Sequence, residues 1–488
     1  MRSIVRVLVG ALPLLALFAG CFGGSEPSNG ATPSTDLPEK LPPLVASVVD
    51  TKAGPLHAEI ASGAISRFTL NGTGRIEFPP NVFLLQGNKF STAKSVDATA
   101  GTAVALLLPP GMTRLNLTVA GETVSFDVLD TGFTLVQGED VVEWFKVQHE
   151  KFPNRCARCP NYVKAQQYFA QLFRSFGYAT VDIDPYGTNA VHSEFANVVA
   201  YKYPKTDVLH PLYLGTGGHY DVVTGTVDGA LDDTSGTLGA MELAKVFANI
   251  STNRNLVFGL WGGEESGLQG SAFFTKTNPN IAAQMQVYVN LDSSAFSWPM
   301  PRPVTKDSDA RPDCSKLIPI SQQSPTAAIA CPDPVLVTAG PDGPESDLLL
   351  QLGRKIQHDI AVGWPDAYFV YEPVVSGQAS GYAKINAQSD HTSFIAAGVP
   401  SYMLIDGDIT RNPVGFHNRR DALENWTKYA YHNWYVNFED ELTPEQLEEA
   451  ERLVVKSIET HLWLAFYILL HYDLGLAPLP ATAPIPAS

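Results

Sequence analysis

Residues 255–271 read NLVFGLWGGEESGLQGS, and the fold turns on how this stretch is read. Asn255–Trp261 is short, almost wholly apolar and rich in aromatic and branched side chains. Such a run reads as a strand buried on both faces, as in a parallel sheet. Two glycines follow, and then two adjacent acids, Glu264 and Glu265. Neighbouring carboxylates repel, and burial adds a desolvation cost. A pair placed at the end of a buried strand therefore calls for a compensating cation. Gly262 and Gly263 loosen the strand end enough for both acids to turn toward one rim.

Outward from this stretch, similar runs recur. ANVVAYKYP (196–204), PLYLGTGG (211–218), QVYVNLD (286–292) and SYMLID (401–406) all read as buried strands. Helical patterns lie between them. NYVKAQQYFAQLFRSFG spaces Tyr162, Phe169, Leu172, Phe173 and Phe176 along one face and stops at Gly177. Further helices are expected over Ser235–Ile250 and Ser346–Ala361, and a last one opens near Thr443 as TPEQ, with a capping Thr and Pro in the first turn. Strands alternating with helices define an α/β domain over about 135–473, its sheet mostly parallel or mixed and covered by helices on both faces.

The remaining chain divides by composition. Residues 1–21 carry Arg2 and Arg6, an apolar run from Val7 to Ala19 and small residues before Cys21. This is a secretory signal, and the ending LFAGC resembles a lipobox, which would make Cys21 a lipid anchor of an exported, extracytoplasmic lipoprotein. Phe18 stands where that motif usually has Leu. Residues 22–43 form a Gly/Ser/Pro/Thr-rich tether. Short β-rich runs over 44–130, such as SRFTLNG and RLNLTVAG, predict a small β-sandwich with no cluster of catalytic residue types. The tail 474–488 is Pro/Ala-rich and expected to be disordered. Between Cys156, Cys159, Cys314 and Cys331, the favoured pairing in an exported chain is local, Cys156–Cys159 and Cys314–Cys331. Across all 488 residues the chain is 45% hydrophobic, 17% charged and carries a net charge of −17. Those proportions give a large core, and the acidity excludes the basic footprint of nucleic-acid binding.

Ligands of open α/β sheets bind beyond the carboxyl ends of the strands. There the sequence places His219 and Asp221, Asp232 and Asp233 (GALDDTSG), Glu264 and Glu265, Asp292, and His417 (GFHNRRD). A separate QSDHTSF adds Asp390 and His391 ahead of the last strand. One histidine at a strand end is commonly structural. Five strand ends delivering imidazoles and carboxylates to one rim suit a metal, and two metals need about five such ligands if one carboxylate bridges.

In order, GGHYD, ALDDTSG, WGGEESGLQGS, NLD and GFHNRRDAL resemble the M28 family of metallopeptidases, the secreted di-zinc aminopeptidases. The resemblance covers roughly 135–473 and implies a zinc-exopeptidase fold and two Zn2+ per chain. It implies His219 and Asp292 on one zinc, Glu265 and His417 on the other, and Asp232 bridging. Asp221 would orient His219 by accepting its second N–H. Glu264 would be the general base toward a metal-bridging water, returning the proton to the leaving amine. Peptides are the implied substrates. Asp233, Asp390 and His391 would be pocket or supporting residues, with Asp233 and Asp390 as candidates to hold a substrate α-amine. His391 also has a ligand's chemistry, and its alternative reading, with Asp390, is to cap the turn before TSFIAAG. The Pro-rich insertion at about 299–345 would shape the pocket as a lid or else stand free in solvent. A glutaminyl cyclase-like acyl transfer, carboxypeptidase chemistry and a non-catalytic receptor role remain open. The oligomeric state has no sequence signal.

Overall fold

A computed structural model describes residues 43–132, 134–186, 195–204, 212–294, 389–405 and 442–477, with shorter pieces between 335 and 427. Residues 1–21, most of the tether, most of the insertion with Cys314 and Cys331, most of the expected Ser346–Ala361 helix and the tail beyond Ala477 lie outside the described residues. Two compact units divide the chain. One takes the residues through Leu84, Ala93–Leu108 and Met112–Thr134, and the other takes the rest.

The first unit is β throughout. Two sheets, of six and four strands, run between Val45–Thr51 and Glu122–Asp127. Alternation builds them: in Arg114–Val119, Leu115, Leu117 and Val119 point inward while Arg114 and Asn116 face solvent. The inward rows of both sheets share one core, in which Phe68 meets Phe126 edge-on at 5.8 Å. This is the expected small sandwich.

The second unit is α/β. Its sheet has eight strands, numbered along the chain: β1 Thr180–Pro185, β2 Ala196–Lys202, β3 Tyr213–His219, β4 Asn255–Trp261, β5 Met285–Leu291, β6 Val335–Gly340, β7 Phe369–Tyr371 and β8 Ser401–Ile405. The spatial order is β1-β2-β4-β3-β5-β8-β6-β7. The central four, β4-β3-β5-β8, are parallel, and antiparallel pairs at β2/β4 and β8/β6 flank them. Every residue of β4 is buried, as its unbroken apolar run requires.

Helices cover both faces. Among the described residues they include α1 Gly138–Lys151, α2 Pro160–Ser175, α3 Ser235–Ala248, α4 Gln269–Thr277, α5 His391–Ala396 and α6 Pro444–Asp473. Strand β5 shows the two faces by its alternation. The Tyr288 ring stacks on Phe394 of α5 at 3.7 Å, while Leu291, an odd number of residues later, points toward Gly239 of α3. Helix α2 ends as its sequence predicts. Gly177 has φ +96°, the Gly177 amide donates to the Arg174 carbonyl, and the Tyr178 amide donates to the Phe173 carbonyl. At the start of α6, Thr443 and Gln446 form a reciprocal capping box ahead of Pro444. Helix α6 has the length and apolarity of a membrane span, but its apolar stretch is mostly buried in this unit.

The connection from β3 to β4 leaves to one side of β3, and the next, through α4, returns past it to β5. Strand β3 is therefore the switch point of the sheet, and a crevice opens beyond its carboxyl end.

Candidate metal centre

Strand β3 ends in His219, buried with its imidazole at the crevice. Its amide donates to Asp233 Oδ2 (3.0 Å), and its carbonyl accepts from Thr237 Oγ1 (2.6 Å). Asp233 Oδ1 accepts the amides of Gly236 (2.8 Å) and Ser293 (3.1 Å). Asp233 thus ties the end of β3, the start of α3 and the turn after β5 together. Its carboxylate is wholly buried and committed to backbone donors. Both Asp233 oxygens accept backbone amides, which gives the residue a scaffolding position. Glycine at 236 is required by the same closeness, since a Cβ there would lie 2.1 Å from the Leu291 carbonyl oxygen.

Asp232, next in the turn before α3, points the other way and divides its carboxylate. Oδ1 lies 3.0 Å from His219 Nε2, and Oδ2 lies 2.7 Å from His417 Nε2. Around His219 Nε2, Asp292 Oδ1 stands at 3.9 Å; around His417 Nε2, Glu265 Oε2 stands at 3.5 Å. Two sets form, His219/Asp232/Asp292 and Asp232/Glu265/His417, with Asp232 common to both. His219, Asp233 and Asp292 also lie close enough together to hold an ion, as do His219, Asp232 and Glu265. We favour Asp232 over Asp233 in the first set because the Asp233 oxygens are taken by amides.

The donor set fits zinc. Tetrahedral zinc with ligands at about 2.0–2.2 Å places neighbouring ligand atoms about 3.3 Å apart, and the spacings here scatter around that value. Buried Glu265 Oε1 and Asp221 Oδ2 have no hydrogen-bond donor among the described residues, an arrangement a cation would relieve.

Glu264 and Glu265 follow β4 in a tight loop. Gly263, at φ +68°, makes the turn that glycine was expected to allow, and a Cβ there would meet the Tyr186 hydroxyl at 2.6 Å. Asn197 of β2 closes the loop. Its Oδ1 accepts the Gly262 amide (3.2 Å) and its Nδ2 donates to the Gly270 carbonyl (2.9 Å). Glu264 Oε2 comes 3.9 Å from His219 Nε2. Burial pushes Glu264 up to about 11 and Glu265 to about 10, with His219 pulling both back and Asp232 and Asp292 adding to the rise. A pair of dications beside them would reverse that direction. The His219 pKa is raised as well: burial disfavours its charge, but Glu264, Asp221 and Asp232 together lift it well above the usual value.

Asp221 meets the expectation only in part. His219 Nδ1 lies 3.1 Å from the Asp221 carbonyl oxygen but 3.6 Å from its carboxylate, too far for a hydrogen bond. The Asp221 carboxylate accepts the Glu264 amide instead (3.1 Å). It therefore links the two strand ends that carry His219 and the glutamates. Asp390 and His391 are fully buried at the start of α5, and Asp390 stands at the capping position without a capping hydrogen bond. Burial pushes Asp390 up to about 7 against the pull of His219. Of the two candidate histidines, the structure sets His417 beside Asp232 and Glu265.

Three supporting residues have little or no sequence signal. Asn197 sits unmarked in an apolar strand. Asp421 closes the GFHNRRD motif, and its carboxylate accepts the amides of Leu231 (2.7 Å) and Asp232 (3.2 Å). Arg155 is wholly buried. It donates to the carbonyls of Tyr220 (2.9 Å) and Asp228 (2.8 Å) and to Thr234 Oγ1 (2.6 Å). The disulfide Cys156–Cys159 follows it directly, as the local pairing predicted.

Fold and site together define a class, an α/β protein with a paired imidazole–carboxylate centre at the carboxyl ends of its parallel strands. Residues 197–320 match the model of Peptidase family M28. A probable zinc metalloprotease of Pyrenophora tritici-repentis is 37% identical over 87 residues, 16% of this chain and 20% of that protein. Aminopeptidase YwaD of Bacillus subtilis is 32% identical over 103 residues, 21% of this chain and 22% of that protein. The chain thus spans about a fifth of the length of these curated relatives. Among solved structures, the Legionella pneumophila LapA aminopeptidase is 17% identical, with 71% of each chain covered and a TM-score of 0.44.

Proposed function

We propose that the chain is a zinc-dependent exopeptidase that removes N-terminal residues from peptides. The observation that carries this reading is the division of Asp232 between His219 Nε2 (3.0 Å) and His417 Nε2 (2.7 Å), with Glu264 at the same rim. His219 and Asp292 would hold one zinc, Glu265 and His417 the other, and Asp232 would serve both. Bound zinc supplies Lewis acidity, lowering the pKa of water and polarising a carbonyl. Glu264, outside both ligand sets, takes a proton from the attacking water and delivers it to the leaving amine. The hydrogen bond that the Glu264 backbone amide donates to the Asp221 carboxylate anchors the backbone carrying that side chain. Asp233 holds the walls of the crevice together without touching substrate.

The test pairs two neighbouring substitutions. Glu264→Gln is expected to lower kcat/KM on an aminoacyl p-nitroanilide by about 10²–10⁴-fold while zinc content stays at the wild-type level. Glu265→Gln is expected to reduce zinc content. Full activity in Glu264→Gln would sink the mechanism. Turnover of an N-terminal glutaminyl peptide to its cyclised product, without aminoacyl hydrolysis, would replace it with acyl transfer.

A further inference from the structure

We infer that Asp421 is a positioning residue for the second zinc, the one assigned above to Glu265 and His417; the inference rests on that two-metal reading. His417 reaches Asp232 from a backbone at φ +57°, a conformation unfavourable for a residue with a Cβ. Such a backbone persists where its surroundings over-determine it. Four residues later, Asp421 supplies that hold. It is wholly buried, and its two carboxylate oxygens divide between two consecutive amides, Oδ1 on Leu231 (2.7 Å) and Oδ2 on Asp232 (3.2 Å). Its carbonyl also accepts the Ala230 amide (3.3 Å). Three contacts in a row therefore dock the His417 segment onto the turn that carries Asp232.

The consequence falls chiefly on one metal, because Asp232 serves both zincs but His417 serves only this one. His219 and Asp292 stand on the ends of β3 and β5, inside the parallel sheet, and they keep their places without Asp421. His417 belongs to no strand or helix. Its approach to Asp232 Oδ2 depends on where its segment docks, and charge-assisted bonds from amides to a buried carboxylate are the strong kind. Asp421 also aligns the acceptor of the pair, because it grips the backbone of Asp232 itself.

The experiment titrates Zn2+ into metal-free full-length protein against a competing fluorescent chelator, alongside melting of the metal-free form. His417→Ala and Asp292→Asn mark how loss of each zinc looks. Asp421→Ala is expected to weaken one zinc by about 10- to 100-fold, the same one that His417→Ala weakens, and to weaken the other, which shares Asp232, by clearly less. Asp421→Asn keeps one acceptor oxygen and is expected to fall between Asp421→Ala and wild type, which keeps the test open should the alanine variant misfold. Wild-type affinity for both zincs in Asp421→Ala would overturn the inference. So would an equal weakening of both in step with the melting temperature, because that marks a general structural role. A wild-type chain that takes up a single zinc would overturn the two-metal reading itself, and it would be seen before any substitution is made.

Discussion

Arg155 illustrates how one buried side chain can hold a site it does not enter. Its guanidinium reaches the carbonyl between His219 and Asp221, and it reaches both ends of the turn that carries Asp232 and Asp233. No neighbouring carboxylate lies within ion-pair distance among the described contacts, so its hydrogen bonds to carbonyl and hydroxyl oxygens must satisfy it. Arg155→Met keeps much of the volume and strips these acceptors of their donor. The expected loss is about 2–4 kcal/mol of stability, read as a lower urea midpoint at unchanged slope. A midpoint within error of wild type would remove Arg155 from this role. The glutamate pair teaches the complementary lesson at the same scale. Its chemistry was legible from two letters in the sequence, and the geometry sets the two apart: the Asp221 carboxylate grips the Glu264 amide, while Glu265 faces His417.

At the scale of elements, α6 shows what pattern reading delivers and where it stops. Thr443, Pro444 and Gln446 state its start in the sequence, and the capping box is there. Its far half is apolar all round, which signals burial but names no partner. Within it, His461 is wholly buried and its Nδ1 donates to the Ser457 carbonyl (2.9 Å). Burial pushes its pKa down to about 4, with the Ser457 and Ile405 carbonyls pulling back. The neutral ring is therefore the folded form, while the unfolded chain titrates near the ordinary 6.5. Its contribution to stability is complete above about pH 6.5 and is lost as pH falls toward 4, at up to about 1.4 kcal/mol per pH unit. Urea unfolding at pH 7 and pH 5 should show a smaller loss for His461→Leu than for wild type. Equal losses in the two proteins would assign the pH dependence elsewhere.

For the whole molecule, the two units have separate cores, and the metal centre belongs to the α/β unit alone. Melting is therefore expected in two steps. A chelator should lower only the α/β step, because it leaves Asp232, Glu264, Glu265 and Asp292 facing one another without a cation. Restored Zn2+ should raise that step with concentration, by about 2.7 kcal/mol per site at a hundredfold excess over Kd. A scan in which both steps move together, or neither moves, would contradict the placement of the metal. The acidic net charge of −17 favours attraction of cations to this rim but fixes nothing about its geometry.

Local chemistry wrote much of this protein directly into its sequence. The apolar runs dictated the strands, Gly177 and Thr443 marked helix ends, and the order of His, Asp and Glu at strand ends announced a metal centre, because each of these signals depends on near neighbours. The resemblance named Asp232 as the bridging aspartate, and only the tertiary structure shows what sets it apart from its neighbour. Asp232 and Asp233 are identical in type, yet backbone amides from three separate segments capture Asp233 and leave Asp232 between two histidines. It likewise decided that Asp221 grips the Glu264 amide and that Asn197, Arg155 and Asp421 hold the rim. Their partners lie tens to hundreds of residues away, and no periodicity or spacing along a chain records a contact that only folding brings within hydrogen-bond range.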